Sequence, residues 1–203
     1  MAFISAVEMI GTVAFAISGA LVAIEKNLDY YGIGVFAIVT ATGGGIIRDL
    51  LIGRNLPVAL ENPTFAVVSI ISAVAVVILY KRIIHYRNII QFFDAVGLAA
   101  FTAIGAQVAV ENGFYHLFVI MTLAVLTGTG GGVIRDVFAR EIPFVFQKEI
   151  YAVACLIGAI MFFFLFDLVG VDLALYICFA VTLLIRLFAM KKDIHLSRVN
   201  REM

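Results

Sequence analysis

Charge is what this chain has least of. Of its 203 residues only 14% are Asp, Glu, Lys or Arg, while 64% are hydrophobic and the mean hydropathy is +1.11. A soluble domain carries about a quarter charged residues, so an ordinary water-facing fold is excluded. Cysteine is scarce as well. Cys155 and Cys178 both lie inside apolar runs without metal-ligand spacing, and they read as packing residues rather than a disulfide or a site. His85, His116 and His195 are isolated near helix ends, so they form no metal constellation. A GxxxxGK phosphate loop is missing, as is a serine or cysteine nucleophile with a base. The glycine runs sit inside apolar segments, not in the strand–turn–helix context that a dinucleotide fingerprint requires. The chain therefore reads as a non-enzyme with no cofactor, and nothing in it calls for nucleic acid.

What is present in quantity is long apolar sequence. Runs of about 18 residues or more read as membrane-spanning helices. Seven occur, at about 3–23, 32–52, 64–80, 92–110, 115–137, 149–167 and 172–190. Their connections are short, which predicts an all-α integral membrane protein forming a single transmembrane domain over residues 1–203. The first run lacks a basic flank, has Glu8 as its only charge, and shows no cleavage pattern, so it reads as a structural span rather than a signal peptide.

Seven spans put the termini on opposite faces. The face with the N-terminus and the loops after spans two, four and six has Arg54 as its only loop cation. The other face carries Lys26, Lys81, Arg82, Arg87, Arg140, Lys148, Lys191, Lys192, Arg198 and Arg201. The positive-inside rule then places the N-terminus outside and the C-terminus in the cytoplasm, for a protein of the cell (inner) membrane. The basic tail after Met190 suits anionic lipid head groups, although topology signalling alone accounts for these residues equally well.

The sequence also repeats itself. Gly43-Gly44-Gly45-Ile46-Ile47-Arg48-Asp49 and Gly130-Gly131-Gly132-Val133-Ile134-Arg135-Asp136 stand 87 residues apart, with Thr40 and Thr42 answered by Thr127 and Thr129. At an offset of 86, Glu8 matches Asp94, Gly11 matches Gly97, Phe15 matches Phe101, Gly19 matches Gly105, and Pro57 matches Pro143. Each copy (3–80 and 92–167) holds three spans, so the second must enter the bilayer upside down. The expected architecture is an inverted-topology repeat plus an extra helix at 172–190.

Three successive glycines cost a helix about 1 kcal/mol each, which predicts that spans two and five are interrupted there. Freed carbonyls would then face a hydrated hollow at half depth. Thr42, Gly43, Gly44, Gly45, Thr129, Gly130, Gly131 and Gly132 are the expected lining, with Arg48, Asp49, Arg135 and Asp136 organising the two mouths. Glycines can also serve close helix packing, and the charge pairs can be structural salt bridges. The symmetric doubling ahead of Arg-Asp favours a pathway. Gly11, Gly19, Gly97 and Gly105 read as packing positions, Glu8 and Asp94 as helix-start carboxylates suited to the dipole, and both prolines as fixing re-entry.

Seven spans, two inverted three-helix units and a doubled GGGxxRD motif resemble the prokaryotic branch of the TRIC (trimeric intracellular cation) channels over essentially the whole chain. The resemblance implies a homotrimer in membrane lipid, with a pore in each protomer for monovalent cations, K+ and also Na+, lined by the two glycine-bearing helices. The animal members carry a basic, lipid-binding element near mid-chain, where this sequence has Lys81, Arg82 and Arg87. The same bacterial family includes members proposed to carry small amino acids such as glycine. A secondary transporter is accordingly the alternative reading.

Overall fold

The computed structural model describes residues 6–83, 85, 88–147 and 150–192. Arg87, Lys148, His195, Arg198 and Arg201 lie outside the described residues, as do the first residues of the predicted first and sixth spans. Nine helices and no strand occur among the described residues: α1 (Ala6–Glu25), α2 (Tyr30–Leu51), α3 (Val58–Glu61), α4 (Thr64–Ile83), α5 (Ile89–Glu111), α6 (Leu117–Phe138), α7 (Phe144–Gln147), α8 (Ile150–Val169) and α9 (Val171–Lys192). The seven long ones are each apolar and long enough to cross a membrane. The one-turn helices α3 and α7 follow Pro57 and Pro143, where a fixed φ and a missing N–H suit a helix start.

The helices end where the chain can adopt a left-handed residue. Gly113 at φ 81° and Asn27 at φ 56° close α5 and α1. In both, the next amide reaches back five residues, Phe114 to the Ala109 carbonyl and Leu28 to the Ala23 carbonyl. This is the Schellman closure that satisfies otherwise orphaned carbonyls. α2 starts on Asp29, whose Oδ1 accepts the Gly32 amide at 2.7 Å.

Two helices form the centre. α1 and α5 are the most buried spans, and they pack on each other with Phe15 and Phe101 stacked 5.4 Å apart. Those two phenylalanines are equivalent in the duplication, so this contact lies on the pseudo-two-fold axis. In lipid, little hydrophobic force draws helices together, and close approach depends on small residues. A Cβ on Gly11 would sit 2.8 Å from the Ala100 Cβ, and one on Gly97 would overlap the Phe15 ring. Gly19 and Gly105 lie against α2 and α6 in the same way, facing the Phe36 and Leu123 carbonyls. Around this centre α2 meets α6, α4 covers α1 and α2, and α8 covers α5 and α6. α9 leans on α8 and α5 and has no counterpart in the first unit. The outward faces, such as Ile71 and Ile78 on α4 or Phe164 and Leu168 on α8, are apolar and exposed, as a lipid solvent demands.

One expectation needs correction. α2 and α6 are continuous α-helices through Gly43–Gly45 and Gly130–Gly132. The propensity cost of glycine is per residue and modest, whereas an opened turn in hydrocarbon strands polar groups at several kcal/mol each. Keeping the ladder intact wins.

Candidate functional site

The triplets serve contact between helices. α2 and α6 cross antiparallel, and their glycines meet reciprocally. A Cβ on Gly44 would run into the Thr127 carbonyl, and one on Gly131 into the Thr40 carbonyl. Gly43 abuts Ile134 at 2.6 Å from its would-be Cβ, while Gly130 faces the Gly44 Cα at 2.9 Å and Ile47 Cδ1 at 3.6 Å. Each contact reappears with its residues exchanged between units, as a two-fold operator requires. No side chain fits between the helices at this level, so the expected half-depth hollow lined by Gly43, Gly44, Gly130 and Gly131 is corrected to a closed crossing. Four threonines flank it. Thr40, Thr42, Thr127 and Thr129 each donate their hydroxyl to the carbonyl four residues earlier, at 2.5–2.8 Å.

The third glycines point elsewhere. A Cβ on Gly45 would have only Arg48 Nη2 nearby, at 3.8 Å, and Gly45 borders a cavity of about 20 Å³. Glu8, Thr42, Arg48, Asp49 and Phe65 also line it. That volume admits one water. Gly132 is crowded instead. The position of its Cβ lies 2.9 Å from the Tyr151 hydroxyl, 3.3 Å from Asp94 Oδ1 and 3.7 Å from Arg135 Nη2.

Beyond each third glycine stands a buried Arg–Asp cluster. In the first unit Arg48 Nε donates to Asp49 Oδ1 at 2.8 Å, with Nη2 2.7 Å from the same oxygen. Asp49 Oδ2 accepts the Val58 amide at 2.8 Å and so anchors α3. In the second unit Arg135 Nε donates to Asp136 Oδ1 at 2.8 Å, and Asp136 Oδ2 accepts the Phe144 amide at 2.9 Å, anchoring α7. All four residues are at most 3% exposed. Ionised groups at such depth persist only when paired. Each aspartate thus holds its arginine with one oxygen and a re-entrant turn with the other.

The second cluster has further members. Arg135 Nη1 donates to Asp94 Oδ1 at 2.7 Å and to Ser18 Oγ at 2.5 Å, and the guanidinium lies 5.1 Å from the Phe144 ring centre. Asp94 is therefore no helix-start cap. It lies in the second turn of α5, fully buried, and is bound to a charge from α6. Glu8 lies in the first described turn of α1 and faces the cavity of the first cluster. Ser18, Tyr151 and Arg186 were not singled out from sequence. Arg186 had a readable signal, being the one basic residue within the apolar run 172–190. Its guanidinium lies 4.7 Å from the Tyr151 ring centre.

Elsewhere the residues fall quiet. Cys155 and Cys178 are free and buried, and no group of three metal-ligating side chains occurs among the described residues. Lys26 pairs with Glu141 at 2.5 Å, bringing the α1–α2 and α6–α7 connections to one face.

Comparison with known proteins agrees with this geometry. The family model described as Glycine transporter matches twice, at residues 5–81 and 91–167. The Escherichia coli K12 inner membrane protein YadS (UPF0126) is 38% identical over 188 residues, 91% of this chain and 90% of its own. The UPF0126 membrane protein YvgT of Bacillus subtilis is 41% identical over 156 residues, 76% of each chain. A solved TRIC cation channel superposes with a TM-score of 0.88 at 34% identity, covering 97% of both chains. The TRIC channel orthologue from Rhodobacter sphaeroides gives 0.85 at 33% identity, over 93% of this chain and 97% of that one. A TRIC channel from C. elegans, at 15% identity and a TM-score of 0.62, shares the fold.

Proposed function

The chain belongs to the family described as Glycine transporter and to the prokaryotic branch of TRIC channels, and from that premise we propose that it is a passive, potassium-permeable cation channel of the inner membrane. The carrying observation is the pair of enclosed Arg–Asp clusters on opposite sides of the α2–α6 glycine crossing. Buried ionisable groups in a span mark ion pathways, and these sit at equivalent positions toward the two faces. Arg48, Asp49, Arg135 and Asp136 form the mouths. Thr42, Gly45, Thr129 and Gly132 flank the route inward. Gly43, Gly44, Gly130 and Gly131 form the constriction, closed in this conformation and opened when α2 and α6 separate.

Each protomer holds its own pathway, and three protomers assemble in lipid, as the neighbours described as trimeric channels suggest. The basic residues favour an external N-terminus and a cytoplasmic C-terminus. Weak net charge at the mouths favours K+ and Na+ over divalent ions, which surrender water reluctantly. The test is recording from purified protein in a planar bilayer under gradients of potassium, sodium, calcium and glycine. Discrete potassium currents are expected.

The family's description favours one second reading, a carrier for glycine. Inverted repeats suit alternating access as well as conduction. Saturable glycine exchange without unitary currents would select the carrier and remove the channel.

A further inference from the structure

The helix outside the duplication carries one buried charge, and it sets that charge against Tyr151. Arg186 on α9 is 4% exposed. It forms no ion pair among the described residues, and its Nε finds no hydrogen-bond partner among them. Its guanidinium carbon stands instead over the Tyr151 ring, 4.7 Å from the centre. Helix packing fixes that register. Tyr151, Cys155 and Gly158 share one buried face of α8, and Cys178, Thr182 and Arg186 share one of α9. A Cβ on Gly158 would overlap the Thr182 hydroxyl and lie 3.3 Å from the Cys178 carbonyl. The two helices therefore touch closely about two turns along α8 from the ring.

The far end of the ring meets the second cluster. The Tyr151 hydroxyl lies 2.9 Å from where a Cβ on Gly132 would stand, and Asp94 Oδ1 and Arg135 Nη2 surround the same point at 3.3 and 3.7 Å. The first unit has neither part of this arrangement. Phe65 stands at the position equivalent to Tyr151, Gly45 has only Arg48 Nη2 nearby, and α9 has no counterpart there. A hydroxyl against the third glycine and an arginine behind its ring thus occur together among the described residues, and in the second unit alone. A guanidinium over a tyrosine face is attracted to the ring and fills the volume into which the ring would tilt. The ring then keeps the plane that aims its hydroxyl at Gly132. A desolvated contact of this kind biases such an equilibrium by up to about thirty-fold.

We propose that Arg186 is a positioning residue: it backs the Tyr151 ring and so holds the hydroxyl over Gly132, which lets α9 set the width of the route at the second mouth. The inference rests on the channel reading above.

The experiment compares unitary potassium current and assembly in full-length variants with and without the Tyr151 hydroxyl. Arg186→Gln removes the cation and leaves space behind the ring, so unitary current should rise a few-fold, to the level of Tyr151→Phe. Arg186→Lys keeps a cation but loses the flat guanidinium, and its current should fall between those of Arg186→Gln and wild type. In the Tyr151→Phe background Arg186→Gln should add nothing, because the hydroxyl it positions is gone. An arginine serving the fold alone would not show this dependence on a single oxygen. Arg186→Gln channels with unitary current at or below the wild-type value would overturn the inference, and so would an equal gain in both backgrounds. Where Arg186→Gln fails to assemble, Arg186→Lys decides: a raised current supports the inference, and wild-type current or loss of assembly overturns it. Absence of potassium current in wild-type protein is a different failure, that of the channel reading itself.

Discussion

The first unit leaves beside its Arg–Asp pair a gap the size of a water, while the second fills the same place with a hydroxyl. Phe65 and Tyr151 are equivalent in the duplication. Phe65 lines the 20 Å³ cavity next to Gly45, and the Tyr151 hydroxyl abuts Gly132. One oxygen atom thus separates a third glycine that borders room for a water from one crowded by a hydroxyl. α9 widens the difference by bringing Arg186 to the second unit alone. Duplication supplies two equal sites, and single substitutions on a symmetric frame make them unlike.

The largest effect should come from breaking what the two units share. Leucine at Gly44 or Gly131 must displace the backbone of Thr127 or Thr40, an overpacking beyond the usual cost of about 1–3 kcal/mol. Both variants should lose potassium flux, and assembled protein should fall with it. Gly45→Ala is the contrast, because its Cβ meets only Arg48 Nη2, at an ordinary contact distance of 3.8 Å. There the gain in helix propensity, about 1 kcal/mol, should leave stability equal or higher. Equal behaviour of Gly44→Leu and wild type in bilayer recording would remove the crossing from the pathway.

Next in size is the contrast between the two carboxylates that face the clusters from the central helices. Asp94 is fully buried and paired with Arg135, whereas Glu8 is only partly buried. Asp94→Asn leaves a buried arginine short of a partner, a loss of about 3–5 kcal/mol. That should lower the melting temperature of the detergent-solubilised protein by roughly 10 °C. Glu8→Gln should cost about 1 kcal/mol or less. A larger loss at Glu8 than at Asp94 would reverse the assignment of which cluster is structurally closed.

These contrasts mark what could be read from the chain alone. The seven spans are visible because apolar length is a one-dimensional property, and α2 at Tyr30–Leu51 lies within two residues of the expected 32–52. The doubled GGGxxRD was visible for the same reason. Its consequence was not. Glycine propensity describes an isolated helix, whereas Gly44 and Gly131 are selected by the backbone of a second helix 87 residues away. Asp94 reads as a cap in the sequence because its partner Arg135 lies 41 residues downstream on another helix. Arg186 carried the warning of a basic residue well inside an apolar span, yet only the packing of α9 on α8 shows that it stands against Tyr151.

The smallest and sharpest change exchanges the single oxygen. Phe65→Tyr places a hydroxyl in the first cavity, where Glu8, Arg48 and Asp49 offer hydrogen-bond partners, so folding should be nearly unaffected. The hydroxyl removes room for a water that would replace part of a passing cation's own shell if ions take this route. Unitary potassium current should fall by a few-fold while assembly stays normal. Tyr151→Phe should do the converse, opening space beside Gly132 at a stability cost of about 1 kcal/mol or less. Its current should rise if the second cluster limits conduction. The double exchange moves the gap from one mouth to the other, and the direction of any rectification should invert with it. Unaltered currents in all three variants would show that neither gap nor hydroxyl faces the ion.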